Sequence, residues 1–337
     1  MDTLLNQLLV DLPTLLLVLI IAAMLYVLGK GADILVDQAV KLSLYWGVPE
    51  MIIGATIISI GTTLPEASVS VLAAISGQSG LSLGNGIGSV IANTGLILGL
   101  IVMIGQVPID RSLVKRQGII MVAVNLAIVI VSLPFLTRTA GGTVTRLSGF
   151  VFVSLLFVYI YTSIRWSRKG LPGVPAEAGL SDKPDHISIL PTLLKMAGGI
   201  TAVIVSSKIL ISSVEITAIR VGIPQSIIAS TLIAFGTSLP ELILALQSIR
   251  KGHGKLALGN IVGANILNIL FVIGLSAAVT PGGLSVPAEY YSLQYPALII
   301  MMAVFMISAR RHRPNFHKAA GYLLFGLYVL YLLLNYL

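Results

Sequence analysis

Two short stretches of an otherwise apolar chain carry groups able to hold a cation. Gly61-Thr62-Thr63-Leu64-Pro65-Glu66 and Gly236-Thr237-Ser238-Leu239-Pro240-Glu241 each set a carboxylate beside a proline inside a hydrophobic run. Thr62 and Thr63 precede Glu66 by four and three residues, which puts them on its face of a helix. Thr237 and Ser238 stand the same way before Glu241. Proline has no N–H, and its ring clashes with the carbonyl four residues back, here that of Gly61 or Gly236. The pattern predicts a broken or kinked helix with freed carbonyls in each stretch. A carboxylate, two hydroxyls and freed carbonyls are all oxygen donors. Hard cations such as Na⁺ and Ca²⁺ take oxygen, and Ca²⁺ takes about six to eight of them. The competing reading of each glutamate is a neutral acid buried on one hydrogen bond, and duplication of the whole cluster weighs against it.

A second pair of stretches supplies further oxygens. In Gly84-Asn-Gly-Ile-Gly-Ser-Val-Ile-Ala-Asn93, Ser89 and Asn93 are four apart and share a face; in Gly259-Asn-Ile-Val-Gly-Ala-Asn-Ile-Leu-Asn268, the matching pair is Ala264 and Asn268. The glycines permit close helix approach, for packing or for a site. Ser89 could equally bond back to its own helix. Asp33, Asp37, Lys208 and Glu215 are weaker candidates, because none is duplicated and interface positions or snorkelling account for them.

These residues need a scaffold, and composition says which kind. Of 337 residues, 56% are hydrophobic and 10% charged, against about 25% charged in soluble domains. Apolar runs of about 20 residues are long enough to cross a hydrocarbon layer about 30 Å thick as helices. Ten spans are expected, at about 13–37, 48–74, 83–106, 117–136, 146–165, 191–215, 225–249, 257–279, 287–308 and 317–336. The N-terminus has two Asp and no Lys or Arg before the first run, so that run is read as a retained span and not a signal peptide. The loops after odd-numbered spans hold most of the basic residues, among them Arg111, Lys115, Arg116, Arg165, Arg168, Arg250, Lys251, Lys255, Arg310, Arg311 and Arg313; the even loops hold Arg138, Arg146 and Arg220. The positive-inside rule then places odd loops in the cytoplasm and both termini outside. The net charge of +8 follows from that topology and from anionic membrane lipid, so nucleic acid is excluded as a partner. There is no Cys, and all four His lie in loops, which argues against a thiolate or His metal site and against a membrane-embedded enzyme.

Shifted by 175 residues, the two halves align without gaps, GTTLPE on GTSLPE and Asn93 on Asn268. With five spans in each half, the halves run in opposite senses through the membrane, an architecture of secondary transporters with broken helices meeting at the midplane. The expected organisation is an all-α membrane protein of two inverted five-helix repeats, residues 1–165 and 191–337, joined by a Pro- and Gly-rich cytoplasmic linker at 166–190.

The paired motifs resemble the two alpha-repeats of the cation/calcium exchanger superfamily, and most of all those of prokaryotic sodium/calcium exchangers. The resemblance implies secondary antiport of Na⁺ against Ca²⁺ by alternating access, in the direction of Ca²⁺ extrusion, with no cofactor, by a monomer in the inner or plasma membrane of a prokaryote. It implies Glu66 and Glu241 as central ligands, flanked by Thr62, Thr63, Thr237, Ser238 and the carbonyls of Ser59 and Ala234, and completed by Ser89, Asn93 and Asn268. The first and sixth helices would slide past the core. Many such exchangers have Asp where this chain has Asn268, and Ser where it has Ala264, which leaves the Na⁺ stoichiometry and any K⁺ or H⁺ role open. A proton- or potassium-coupled calcium antiporter, and a cation channel with a two-glutamate filter, are the rival readings.

Overall fold

A computed structural model describes residues 7–109, 111–134, 142–168, 188–222, 238–310 and 314–336. The described chain is nearly all helix. In order these are α1 (Thr14–Trp46), α2 (Glu50–Ile75), α3 (Ser79–Ile104), α4 (Arg111–Val131), α5 (Arg146–Arg168), α6 (Ile189–Arg220), α7 (Leu239–Arg250), α8 (Gly254–Val279), α9 (Tyr290–Arg310) and α10 (Lys318–Tyr336). Eight of them, all but α4 and α7, are long and apolar enough to cross a membrane. The expected seventh span, 225–249, lies partly outside the described residues.

Burial sorts the helices into centre and rim. In α8, 89% of the most apolar window is buried, and in α3 72%, whereas α1 and α10 bury 22%. Helices α2, α3, α7 and α8 pack on one another, with α4, α5, α9 and α10 around them. The long helices α1 and α6 pack chiefly on each other, and Gly31 and Gly199 let the two backbones meet. Both are longer than the sequence pattern suggests, at 33 and 32 residues.

Close approach in the centre depends on glycine. A Cβ on Gly54 of α2 would lie 2.5 Å from the Leu256 carbonyl oxygen, and one on Gly263 of α8 would lie 2.6 Å from Ser59 Oγ. The helices can cross this tightly only because no side chain intervenes.

The central helices are irregular where the site residues sit. Wide π-helical turns occupy Gly54–Ile58, Asn93–Leu98 and Asn268–Ile273. The last two begin at the asparagines that the 175-residue shift superposes. Such turns occur mostly as local bulges and often at functional sites. They also correct the expectation of a break at Pro65, because α2 continues as α-helix through that residue, from Ser59 to Ile75. The π-turn of α2 lies upstream, at Gly54–Ile58. Tyr159 of α5 donates its hydroxyl to the Ala55 carbonyl, at 2.9 Å, inside that turn.

Contacts between connecting segments fall into two groups. At one set of helix ends, Arg220 after α6 bonds to carbonyls of Val10 and Leu12 before α1. Strand β1 (Thr143–Val144) pairs antiparallel with β2 (Leu284–Ser285), and Tyr290 donates to the Gly80 carbonyl. At the other set, Ile109 and Phe316 bond across the segments after α3 and α9. Also there, Lys251 after α7 meets Asp33 and Asp37 of α1, and His253 meets Glu50.

Candidate cation site

Glu66 enters the centre from the middle of α2, and its relative exposure is 1%. Glu241 enters in the first turn of α7 and is 2% exposed. Pro240 sits in the first turn of α7, where its missing N–H costs no helix bond. The two carboxyls come from separate halves of the chain, yet Glu66 lies within reach of the charge of Glu241, and Thr62 is among the groups beside Glu241.

The nominated residues around them are buried as well: Ser59, Thr62, Thr63, Ser89, Asn93, Ser238 and Asn268 all fall at or below 4% exposure. Asn268 starts the π-turn of α8 that packs against α2 and α3, and its carbonyl lies beside Gly86. Thr62 Oγ1 donates to the Ser59 carbonyl at a long 3.4 Å, and Ser59 Oγ to that of Thr56 at 3.2 Å. Ala234, Gly236 and Thr237 lie outside the described residues.

Thr63 Oγ1, Glu66 Oε2, Ser89 Oγ, Asn93 Oδ1, Ser238 Oγ, Glu241 Oε2 and Asn268 Oδ1 are buried oxygens with no hydrogen-bond partner among the described residues. Leaving a buried polar atom unpaired costs about 1–3 kcal/mol, and more when it is charged. A set of buried acceptors that includes two carboxylates suits a cation, which satisfies several of them at once.

Two contributors lie outside the nominated set. Tyr159 holds the π-turn of α2 from a helix with no motif in it. Asn85 of α3 donates to the Glu66 carbonyl at 3.1 Å and to Ser70 Oγ at 2.9 Å, fastening α3 to the helix that bears the glutamate. Asp33 and Asp37 take no part in the cluster and instead pair with Lys251 at 3.4 and 2.8 Å.

Helices of membrane length around a buried oxygen cluster with two carboxylates define a polytopic membrane protein. A profile of the sodium/calcium exchanger protein family matches residues 16–165 and 192–337, and the chain belongs to that family. It is 31% identical to inner membrane protein YrbG of Escherichia coli (strain K12), over 91% of this chain and 92% of that one. It is 27% identical to sodium/calcium exchanger MaX1 of Methanosarcina acetivorans, over 86% and 90%. A solved structure of the sodium-calcium exchanger NCX_Mj, soaked with Na⁺ and Sr²⁺, superposes with a TM-score of 0.79 at 25% identity, covering 94% of this chain and 98% of that one.

Proposed function

We propose that this protein is a secondary antiporter that exchanges Na⁺ for Ca²⁺ by alternating access, and that it extrudes Ca²⁺ when the Na⁺ gradient points inward. The observation that carries the reading is the meeting of Glu66 and Glu241, from different halves, among buried oxygens without partners. In this reading both glutamates ligate the transported ion. Thr62, Thr63, Thr237, Ser238, Ser89, Asn93 and Asn268 and the carbonyls of Ser59 and Ala234 complete the shell.

Ten spans in two inverted repeats, 1–165 and 191–337, with a linker at 166–190, position that shell. The way segment contacts divide supports ten crossings, since segments after odd helices meet one another and segments after even helices meet one another and the N-terminal region. Both termini lie outside and the linker is cytoplasmic, in the plasma or inner membrane of a prokaryote, and the unit is a monomer. The loosely tied α1–α6 pair is the body that slides.

Two facing carboxylates also account for antiport. An empty pair repels itself, so the cation-free protein resists reorienting, and only loaded forms cross readily. Two glutamates give the site a formal charge of −2, which one Ca²⁺ or two Na⁺ neutralise. Asn268 contributes no proton of its own, which favours Na⁺ over H⁺ as the coupling ion.

Reconstituted vesicles test this directly. Ca²⁺ uptake is expected under an outward Na⁺ gradient, and little under K⁺ or H⁺ gradients of equal size. Uptake driven equally by all three, or Ca²⁺ flux with no counter-ion at all, sinks the proposal.

A further inference from the structure

The shift of 175 residues that superposes the two halves also brings out a difference between them. On α3, Ser82, Asn85, Ser89 and Asn93 lie at i, i+3, i+7 and i+11, along one face. Their counterparts on α8 are Ala257, Asn260, Ala264 and Asn268. Ser70, one turn beyond Glu66 on α2, has Ala245 of α7 as its counterpart. Three hydroxyls in the first half are therefore three methyls in the second, and all six residues are buried.

The hydrogen bonds show which way the α3 face looks. Asn85 reaches both the Glu66 carbonyl and Ser70 Oγ, so this face lies against the Glu66–Ser70 stretch. Ser82 is one turn nearer the end of α3, and its hydroxyl is fully buried with no partner among the described residues. In the second half, Asn260 stands between two alanines with neither amide atom paired among the described residues. An unpaired buried hydroxyl costs about 1–3 kcal/mol, and alanine at the three matching positions of the second half carries no such cost.

We propose that Ser82, Ser70 and Asn85 form a transit subsite for a partly dehydrated hard cation, Na⁺ or Ca²⁺, between the membrane face at which α2 ends and α3 begins and the Glu66 carboxyl. The approach past Ala257 and Ala245 to Glu241 has no such subsite. The inference rests on the exchange reading above. Hydroxyl and amide oxygens replace part of the ion's water shell. Because they are neutral they hold the ion weakly, and passage requires binding firm enough to enter and weak enough to leave. The two faces of the protein then differ in how readily they load, although the central ligands are the same.

The full chain in vesicles of fixed orientation tests this, with ions varied on one face at a time. Wild-type Na⁺-driven Ca²⁺ uptake comes first; its absence counts against the exchange reading and not against the subsite. In the double variant S70A/S82A, half-saturating Ca²⁺ and Na⁺ at the α2–α3 face are expected to rise about three- to tenfold, the effect of weakened hydrogen-bond-strength contacts. The opposite face and the maximal rate with both ions saturating should hold. The reverse variant A245S/A257S should lower the half-saturating concentrations at the opposite face, and it carries the test if the first variant does not fold. Equal shifts at both faces, or none at either, overturn the proposal. A readout without transport is also available, because the chain has no cysteine. Ca²⁺ or Na⁺ should slow modification of S82C by a cationic thiol reagent and leave A257C unaffected, and protection equal at both positions also overturns it.

Discussion

Two acidic side chains set the chemistry at the scale of the residue. Glu66 and Glu241 are each 1–2% exposed, and charges interact more strongly in such an interior than in water. Removing either charge leaves the shape in place and takes away half of the attraction for a divalent ion. We therefore expect E66Q and E241Q each to cut Na⁺-driven Ca²⁺ flux by about 100-fold, with thermal stability in detergent kept or raised because a repelling pair has gone. Flux within a few-fold of wild type in both variants would show that these groups do not hold the ion. The glutamates were legible in the sequence because a carboxylate is costly in an apolar run and because the same cluster appears twice. Asn85 is duplicated too, as Asn260, but its role is defined only by its partner, the Glu66 carbonyl on another helix.

Local geometry was harder to read at the scale of the element. Proline chemistry pointed to a break at Pro65, but the helix runs through it and the distortion sits at Gly54–Ile58. Nothing within GATII marks a π-turn. It is stabilised from outside, by the Tyr159 hydroxyl on the Ala55 carbonyl and by the α8 backbone at Gly259 and Gly263. Tyr159→Phe deletes one oxygen and leaves the ring packed, so the Ala55 carbonyl stays buried without that partner, at a cost of about 1–3 kcal/mol. A lowered melting temperature is expected, together with slower exchange, because the π-turn lies just ahead of Thr62, Thr63 and Glu66. An unchanged melt and an unchanged rate together would mean that the turn is set by α2 alone. The Lys251 clasp on α1 is likewise tertiary. Burial disfavours its charged amine, but the hydrogen bond and charge of Asp37, with Asp33 behind it, prevail and hold the amine above the usual lysine range. A raised amine stabilises the folded state fully below the unfolded value and loses that contribution only as pH rises through the raised one. The clasp should therefore leave no signature on exchange between about pH 6 and 9. A rate change in that window that disappears in Lys251→Gln would contradict this.

At the scale of the whole molecule, the apolar runs, the basic loops and the duplication together announced a membrane-spanning bundle before any coordinate was known. The packing hierarchy was not available from them, because hydropathy does not track burial: α1 and α8 are about equally apolar, yet 22% of one and 89% of the other is buried. Which helix is central depends on which carries glycine where another helix must pass, and that is a property of pairs. The segment contacts allow the crossing pattern to be tested in a chain with no native thiol. Gln78 precedes α3 and Glu289 precedes α9, both are exposed, and Tyr290 next to Glu289 bonds to the Gly80 carbonyl near Gln78. His317 is exposed at the other end of α9, next to Phe316, which bonds to Val107. In sealed vesicles of one orientation, Q78C and E289C should react with a membrane-impermeant thiol reagent from the same face and H317C from the opposite face. The inverted arrangement needs this result, since only an odd number of spans per half turns the second GT[ST]LPE helix against the first and lets two separate glutamates approach one ion from opposite sides. If Q78C and H317C reacted from one face, the halves would run in parallel and that convergence would need another explanation.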